Sequence, residues 1–263
     1  MTAAISSSQE ACASVPLPLK SVRNVRDLGG YPYITPTGLQ GVTAFGEFVR
    51  AGSLCGICRE DIEFLCQYGV RRIIDLRSPF ELKFQPDGFS RGRRREFAYI
   101  SVPMLDQLNS SGFGGTLPRC MSDVYIQLMD EDREDIRHVM EALDGEGCSL
   151  FHCRAGKDRT GVIAMLLLGL AGVDDEHIVA DYAATQRYMG RGLRAQRLAL
   201  TVVLRRRVPR CLFESDPAEM RRALAHLHAT YGDARTYLRD YATCSNELLD
   251  RLMARLRGST PSA

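Results

Sequence analysis

The stretch that decides the fold of this 263-residue chain is Phe151-His152-Cys153-Arg154-Ala155-Gly156-Lys157-Asp158-Arg159-Thr160-Gly161. The chain leads into it with Cys148 to His152, a short apolar run that predicts a buried strand. It continues into Thr160 to Leu170, a longer apolar run that predicts a buried helix. Between them lie Ala155 and Gly156, which are small enough to let backbone N–H groups turn inward. Such a loop at a helix N-terminus is an anion-binding site.

Three side chains of this loop predict the chemistry that follows anion binding. Cys153 lies at the base of the loop, where the N–H groups and the positive end of the helix favour the nucleophilic thiolate. The planar guanidinium of Arg159 can hold two oxygens of a tetrahedral oxyanion. Thr160 can donate its hydroxyl to the sulfur when the sulfur leaves. The loop therefore predicts phosphoryl transfer through a phosphocysteine, which water hydrolyses, without a metal or an organic cofactor.

The rest of the first half alternates short strands and helices. Together with Cys148 to His152, strands are predicted at Phe45 to Arg50, Val70 to Leu76 and Phe97 to Val102. Helices are predicted at Arg59 to Tyr68 and, as two stretches, between Ser122 and Asp144. This order predicts an α/β fold with a central mixed or parallel sheet flanked by helices.

The second half is predicted to be an expanded helical region. Its helices are expected at Asp174 to Tyr188, Leu193 to Leu204, Pro217 to Tyr231, Ala234 to Tyr241 and Ser245 to Leu256. No internal repeat or long linker divides the chain. Residues 1–20 and 258–263 are predicted to be flexible ends, which leaves residues 21–257 as a single domain.

Charge and hydropathy exclude several classes of protein. With 34 basic and 32 acidic residues the net charge is +2, which argues against a nucleic-acid-binding protein. The longest apolar run, Thr160 to Val173, is too short to span a bilayer. Residues 1–20 lack the basic and apolar segments of a standard secretory signal, which predicts a cytoplasmic protein; a non-standard export route would leave no such signal.

The nine cysteines are scattered without the spacing of a disulfide framework or a zinc site. They predict reduced thiols and no bound metal. Cys55-Gly-Ile-Cys58 has the spacing of a redox pair, although a turn that carries two thiols explains it better.

Several motifs together resemble a known family. His152-Cys153, five residues and Arg159-Thr160 resemble the signature of the Cys-based protein tyrosine phosphatase superfamily. The fuller run His152 to Gly161 resembles its bacterial and fungal branch of broad specificity. Matching segments are Asn24-Val-Arg-Asp-Leu-Gly-Gly30, Arg50-Ala-Gly-Ser-Leu54, Ile74-Asp-Leu-Arg-Ser78 with Glu81 after it, and Tyr231-Gly followed by Tyr237-Leu. The resemblance covers about residues 20–257 and implies a tyrosine-phosphatase-like fold.

The resemblance also implies an activity and the residues that carry it. The expected reaction is hydrolysis of phosphotyrosine, and also of phosphoserine, phosphothreonine or phosphoinositides. The residues that it implies are Cys153 and Arg159 for catalysis and Arg154, Ala155, Gly156, Lys157 and Thr160 for substrate binding.

The identity of the general acid stays open at this point. Many members of the superfamily use an Asp in a Trp-Pro-Asp loop, and this chain has no Trp. In the branch that the chain resembles, an Asp at the position of Asp158 is implicated as the acid. Asp106 follows a predicted strand and resembles the loop Asp of the dual-specificity phosphatases. We favour Asp158.

Basic residues raise the question of substrates with more than one phosphate. Arg154 and Lys157 occupy positions that are basic in the phosphoinositide 3-phosphatases, where they contact additional phosphates. Alternatively, Lys157 points to solvent. The Arg91–Arg95 cluster and the Arg191–Arg210 patch could meet an anionic membrane surface or an acidic substrate, and a solvated surface is the simpler explanation. Leu193 to Leu204 could cover the site as a lid.

Three further features have two interpretations each, and His152 has one. Asn24, with the residues after it, either braces the loop or forms a turn. Arg77 either serves the ligand side of the sheet or pairs with Glu81. His152 is expected to orient the loop by hydrogen bonding. For the whole chain, the alternative to an enzyme is a non-catalytic phosphoinositide- or phosphoprotein-binding module.

Overall fold

The computed structural model describes residues 15–104, 118–204 and 209–259. Its strands are β1 (Arg26–Asp27), β2 (Pro32–Ile34), β3 (Gln40–Val42), β4 (Phe48–Ala51), β5 (Val70–Asp75), β6 (Ala98–Ser101) and β7 (Cys148–His152). Its helices are α1 (Arg59–Tyr68), α2 (Pro79–Phe84), α3 (Met121–Glu131), α4 (Arg133–Leu143), α5 (Arg159–Ala171), α6 (Asp175–Leu204), α7 (Pro217–Tyr231), α8 (Ala234–Thr236) and α9 (Asn246–Arg257). Arg210–Leu212 forms a 3-10 turn and Tyr237–Tyr241 a π-helical turn.

Five strands form the central sheet in the order β1-β4-β7-β5-β6. The four strands from β4 to β6 in this order are parallel, and β1 is antiparallel at the edge beside β4. The predicted α/β fold is therefore confirmed, and the sheet is mixed. β2 and β3 form a separate antiparallel hairpin.

The inner strands β4 and β7 are fully buried because both faces of the sheet are covered there. All five residues of β7 are buried, and Leu150 and Phe151 belong to different hydrophobic cores. The core around Leu150 includes apolar residues of α1. The core around Phe151 includes residues of the helices from α3 to α9. Helices on both faces are what parallel strands with continuous apolar runs require.

Some predicted boundaries coincide with the structure and others do not. The bounds of β7, α1 and α7 are those predicted. Asp174 to Tyr188 and Leu193 to Leu204, predicted as two helices, are one helix, α6, because the two glycines between them lower helix stability without breaking it. The side chains of residues 190–200 and 202–208 lie outside the described part, and with them the predicted lid contacts and most of the Arg191–Arg210 patch.

Within the described ranges, none of the helices is both long and apolar enough to cross a membrane.

A buried ion cluster joins α6 to the edge of the sheet. Asp181 on α6 accepts hydrogen bonds from Arg50 on β4, from Arg26 on β1 and, at 3.0 Å, from the phenol of Tyr31. All four side chains are buried. Burial favours the neutral acid, but Arg50 and then Arg26 outweigh it and hold the pKa of Asp181 below its usual value. The carboxylate is therefore charged and shared by two guanidinium groups.

We expect Asp181→Ala to destabilise the fold by about 3–5 kcal/mol, because two buried guanidinium groups lose their shared carboxylate. The measurement is the free energy of unfolding in urea. Asp240→Ala is the control, since its exposed carboxylate pairs with the adjacent Arg239. An Asp181→Ala midpoint equal to that of the control would contradict the expectation.

The pH dependence of this difference has a defined sign. Because the pKa of Asp181 is lower in the folded chain than in the unfolded one, its stabilisation is complete above about pH 4. It is lost as the pH falls through the folded-state pKa. The difference in unfolding free energy between the wild type and Asp181→Ala should therefore shrink on acidification.

Candidate active site

Cys153 lies where three parallel strands end at the same edge of the sheet. It directly follows β7, and Ala51 of β4 and Asp75 of β5 both pair with His152. The N–H of Leu76 donates to the carbonyl of His152 at 2.8 Å, which fixes the start of the loop. Cys153 is 2% exposed. This is the edge at which α/β sheets bind ligands.

The carbonyl groups of the loop are held from outside. Each one from residue 154 to 156 accepts a hydrogen bond: Arg154 from the Ser53 N–H at 3.0 Å, Ala155 from the Asn24 amide at 3.0 Å, and Gly156 from the Asn24 amide at 3.0 Å and from Arg50 at 2.8 Å. Among the described residues, no acceptor takes a backbone N–H of residues 154–158. A loop with its carbonyls engaged outside and its N–H groups unused has the character of an anion-binding site.

Two residues adopt left-handed backbone conformations to make this arrangement. Gly156 has φ +65°, and a Cβ there would lie 2.3 Å from the carbonyl oxygen of Ala51. Asn24 has φ +60°, so that its buried amide reaches both loop carbonyls while Arg26 donates to its side-chain oxygen. Asn24 therefore braces the loop, and the left-handed backbone turn at Asn24 places its amide beside the loop carbonyls.

Arg159 at the start of α5 is held by Glu81 of α2. Two guanidinium nitrogens donate to the two carboxylate oxygens at 2.6 and 2.8 Å, and one of them also donates to the carbonyl of Leu76 at 3.1 Å. Burial would raise the pKa of Glu81, but Arg159 overcomes this effect and lowers it. Ser78 and Glu81 form a capping box that fixes α2. The guanidinium plane is therefore preset beside the loop.

The predicted pair between Arg77 and Glu81 is wrong. Arg77 instead bridges Asp75 and Asp87 at 2.6 and 2.5 Å. The reason is that the capping box commits Glu81 to the N-terminus of α2 and turns its carboxylate toward Arg159.

Asp158 precedes α5, and its side chain is 29% exposed. One carboxylate oxygen accepts the hydroxyl of Tyr125 at 2.7 Å, and the hydroxyls of Tyr125 and Tyr182 lie 2.6 Å apart. Burial, and then the charge of Asp158, raise the pKa of Tyr125 far above its usual value, so Tyr125 stays a donor. Sequence reasoning missed both tyrosines, because nothing local marks two helical residues 57 positions apart as partners. Asp106, the other acid candidate, lies outside the described residues.

Lys157 does not point to solvent, so that alternative for its position is wrong. It is 1% exposed, and its ammonium donates to the carbonyls of Cys211, Leu212 and Glu214 at 3.0, 3.1 and 3.0 Å. These carbonyls use the three donors of the ammonium group, whose nitrogen also lies 3.4 Å from a carboxylate oxygen of Asp158. Lys157 therefore anchors the loop to the segment between α6 and α7.

Two further predicted site residues, Arg154 and Thr160, differ in their exposure to solvent. Arg154 is exposed beside the loop, whereas Thr160 is fully buried. Within the described part of the chain, the Thr160 hydroxyl has no hydrogen-bond partner. A hydroxyl without a partner at the first turn of α5 remains available to a group bound in the loop.

His152 and two carboxylates form a buried cluster behind Cys153. Asp75, Asp87 and His152 offer ligand atoms within 4.8 Å of one another, which is a possible arrangement for a metal ion. Arg77, however, already bridges both carboxylates, and a metal ion would have to displace it. Burial lowers the pKa of His152 although Asp75 opposes the effect, so the ring is neutral near pH 7. The Nδ1 of His152 lies 3.2 Å from the carbonyl oxygen of Cys153.

The CxxC cysteines are separate thiols beside the site. Cys55 is exposed, and its thiol lies 3.6 Å from the carbonyl oxygen of Pro86. Cys58 precedes α1 and is half-buried. The contact of Cys55 with Pro86 does not assign a redox function to the pair.

Sequence comparison finds a family model that matches most of the chain and relatives that match part of it. The sequence model of the tyrosine phosphatase family matches residues 17–258. A tyrosine-protein phosphatase of Nostoc commune is 35% identical over 144 residues, 54% of this chain and 49% of that protein. A Cupriavidus necator protein provisionally named a tyrosine-protein phosphatase is 32% identical over 177 residues, 63% of this chain and 61% of that protein.

The triple specificity protein phosphatase PtpB of Mycobacterium tuberculosis is 36% identical over 76 residues, 28% of each protein. The chain thus spans about half to three fifths of the length of the first two relatives. The family match, in contrast, includes Asn24, the strands, the loop of residues 153–159 and the C-terminal helices. On this match, the chain belongs to the tyrosine phosphatase family.

Proposed function

We propose that this protein hydrolyses phosphate monoesters through a phosphocysteine on Cys153. The observation that carries the proposal is the loop itself. Its carbonyls are bound from outside, its N–H groups meet no acceptor in the described part of the chain, and Arg159 is fixed beside it by Glu81. Membership in the tyrosine phosphatase family supports the same chemistry.

In the first step the Cys153 thiolate attacks phosphorus. An S–P bond forms and the P–O bond to the leaving group breaks, while the loop N–H groups and Arg159 hold the three remaining oxygens. The leaving oxygen carries away the bonding electrons and takes a proton from Asp158. Because Asp158 is partly exposed next to the loop, it can meet both the leaving group and water.

In the second step water attacks the phosphocysteine. Asp158, now a carboxylate, accepts a proton from the water while the P–O bond forms and the S–P bond breaks. The sulfur leaves as a thiolate, and the Thr160 hydroxyl can donate to it. Inorganic phosphate is released and Cys153 is restored. No electron transfer or cofactor enters this balance.

Phosphotyrosine proteins are the substrates that we propose first, and the names of the relatives support this choice. Phosphoserine, phosphothreonine and phosphoinositides are the further candidates, and the name of PtpB supports a broad range. Exposed Arg154 supports recognition of a second phosphate, whereas buried Lys157 does not.

A transient anionic membrane surface would meet the exposed residues of the Arg91–Arg95 cluster. The scattered thiols support a reducing compartment such as the cytoplasm.

Replacing the nucleophile tests the reaction class. We expect Cys153→Ser to reduce phosphate release from p-nitrophenyl phosphate by roughly four orders of magnitude or more, and EDTA to leave the wild-type rate unchanged. Cys55→Ser is the control, because a thiol oxidoreductase acting through Cys55 and Cys58 would show the reverse pattern. Binding of phosphate without release by freshly reduced wild type would instead indicate a non-catalytic binding module.

Leaving-group dependence tests the general acid. Asp158→Ala should slow hydrolysis of phenyl phosphate about 10²- to 10⁴-fold while affecting 2,4-dinitrophenyl phosphate far less, because only the poor leaving group needs the proton. Asp106→Ala is compared in the same assay. If Asp106→Ala alone shows this selectivity, the assignment to Asp158 is wrong.

Tyr125→Phe refines the same test, because it keeps the Asp158 carboxyl group and removes one donor to it. Hydrolysis of phenyl phosphate should slow more than that of 2,4-dinitrophenyl phosphate, because the carboxyl group loses the hydroxyl that holds it in place. An equal effect on both substrates together with a lower melting temperature would make Tyr125 purely structural.

Lys157→Met tests the anchoring interaction. We expect a loss of about 1–3 kcal/mol in unfolding free energy, because three carbonyls lose their donor. The ratio of kcat/KM for singly and multiply phosphorylated substrates should stay at the wild-type value. The comparison variant is Arg154→Met, for which the ratio should change and the stability should not. A selective loss of kcat/KM for multiply phosphorylated substrates in Lys157→Met would show that Lys157 contacts the substrate.

A further inference from the structure

A cleft of about 260 Å³ lies on the surface outside the catalytic loop. One wall is the turn after β4, with Leu54 and Ile57, and the other is the loop from Pro86 to Arg94. Three of the residues that line it are Arg91, Arg93 and Arg94. The reaction proposed above uses none of these arginines.

The positive charge of this cleft is compensated only in part by the carboxylates of the described residues. Arg91 and Arg93 are exposed and, among the described residues, neither has a carboxylate partner. Arg94 is half-buried, with Glu96 at 3.5 Å. The acidic lining residue, Asp87, is already engaged: one oxygen accepts two backbone N–H groups at 2.9 and 2.8 Å, and the other accepts Arg77 at 2.5 Å. The cleft therefore offers guanidinium donors to an outside anion.

The loop that carries the arginines is held in one conformation. The N–H groups of Arg93 and Arg94 both donate to the carbonyl of Gly88, at 2.9 and 3.0 Å. The side chain of Arg94 packs so closely over Gly88 that a Cβ there would lie 2.8 Å from its Cδ. Phe89 anchors the loop in the core against Phe97, with ring centroids 5.6 Å apart. A loop whose backbone is already fixed loses less entropy when its side chains bind a ligand.

The cleft is a neighbour of the catalytic loop but not part of it. Ser53, which immediately precedes the wall at Leu54, donates its N–H to the carbonyl of Arg154. The hydroxyl of Ser53 lies 3.2 Å from a nitrogen of Arg77, which also binds Asp87 in the opposite wall. Both walls are therefore tied to the residues that support the site.

We propose that this cleft is a second, non-catalytic anion site that binds a phosphate group. A phosphate dianion offers several acceptor oxygens and two negative charges, which match a group of guanidinium forks better than a single carboxylate does. The phosphate can be free inorganic phosphate, the product of the proposed reaction, or the headgroup of an acidic lipid. The site does not depend on turnover, so it stands or falls separately from the proposed function.

The first arm of the test titrates inorganic phosphate while the arginine Nε–H and backbone N–H resonances are followed by NMR. In the wild type we expect two sets of shifts, one at Gly156 and its neighbours and one at Arg91, Arg93 and Arg94. Arg91→Ala/Arg93→Ala should lose the response of Arg94 and keep that of Gly156. The matched control is Arg95→Ala/Arg222→Ala, which removes two exposed arginines that do not line the cleft and should keep both responses.

The second arm separates the two sources of phosphate. Flotation is measured with phosphatidylcholine vesicles that contain or lack phosphatidic acid. Selective loss of phosphatidic-acid binding in Arg91→Ala/Arg93→Ala, relative to the control, assigns the cleft to a lipid headgroup; no vesicle binding by any variant assigns it to free phosphate.

Two results would overturn the proposal. One is a wild-type phosphate titration in which only the resonances around Gly156 shift. The other is an equal loss of phosphate or vesicle binding in the cleft variant and in the control, because binding would then follow the overall charge. A missing response at Gly156 with an intact response at Arg94 would contradict the proposed function and leave the second site standing.

Discussion

The loop of residues 153–159 depends on one constraint, because its carbonyl groups have to be bound from outside the loop. Ser53, Asn24 and Arg50 provide these hydrogen bonds from three different parts of the chain. Only when the carbonyls of residues 154–156 are engaged there can the N–H groups turn toward an anion, because each peptide unit directs the two groups to opposite sides. Arg50 also binds Asp181 on α6, so the shape of the loop is tied to the packing of a helix across the core.

The buried arginines follow the same logic, since each of them is paired in a way that fixes a nearby backbone. Arg159 is fixed by Glu81, and Arg77 by Asp75 and Asp87. Burial would raise the pKa of Asp75, but the charge and hydrogen bonds of Arg77 favour the carboxylate and the pKa is lowered, so the group keeps its charge beside His152. An unpaired buried charge would cost several kcal/mol, and the pairing removes most of that cost while it limits side-chain motion. The electrostatic field around Cys153 is thereby set before any substrate arrives.

The sequence predicts this fold where the signal is local and fails where it is not. The apolar run of β7 and the loop after it could be placed because strand, small residues and helix follow one another directly between Cys148 and Leu170. The joining of two predicted helices into α6 could not, since a glycine lowers helix stability by only about 1 kcal/mol and need not end a helix. Whether Glu81 would meet Arg77 or Arg159 depends on where α2 begins. The Ser78-to-Glu81 capping box was visible as a sequence pattern and could have excluded the wrong pair.

Lys157 shows most clearly why residue type alone does not assign a substrate contact. A cation in an anion-binding loop suggests a second phosphate, yet the carbonyls at the end of the 3-10 turn Arg210–Leu212 need a donor just as much. A lysine can satisfy three carbonyls at one point, whereas the planar fork of an arginine cannot. Within the loop, the exposed cation is Arg154. Any preference for a second phosphate must therefore come from Arg154 and from the basic surface beside the loop, because the ammonium of Lys157 is already committed to holding the loop in place.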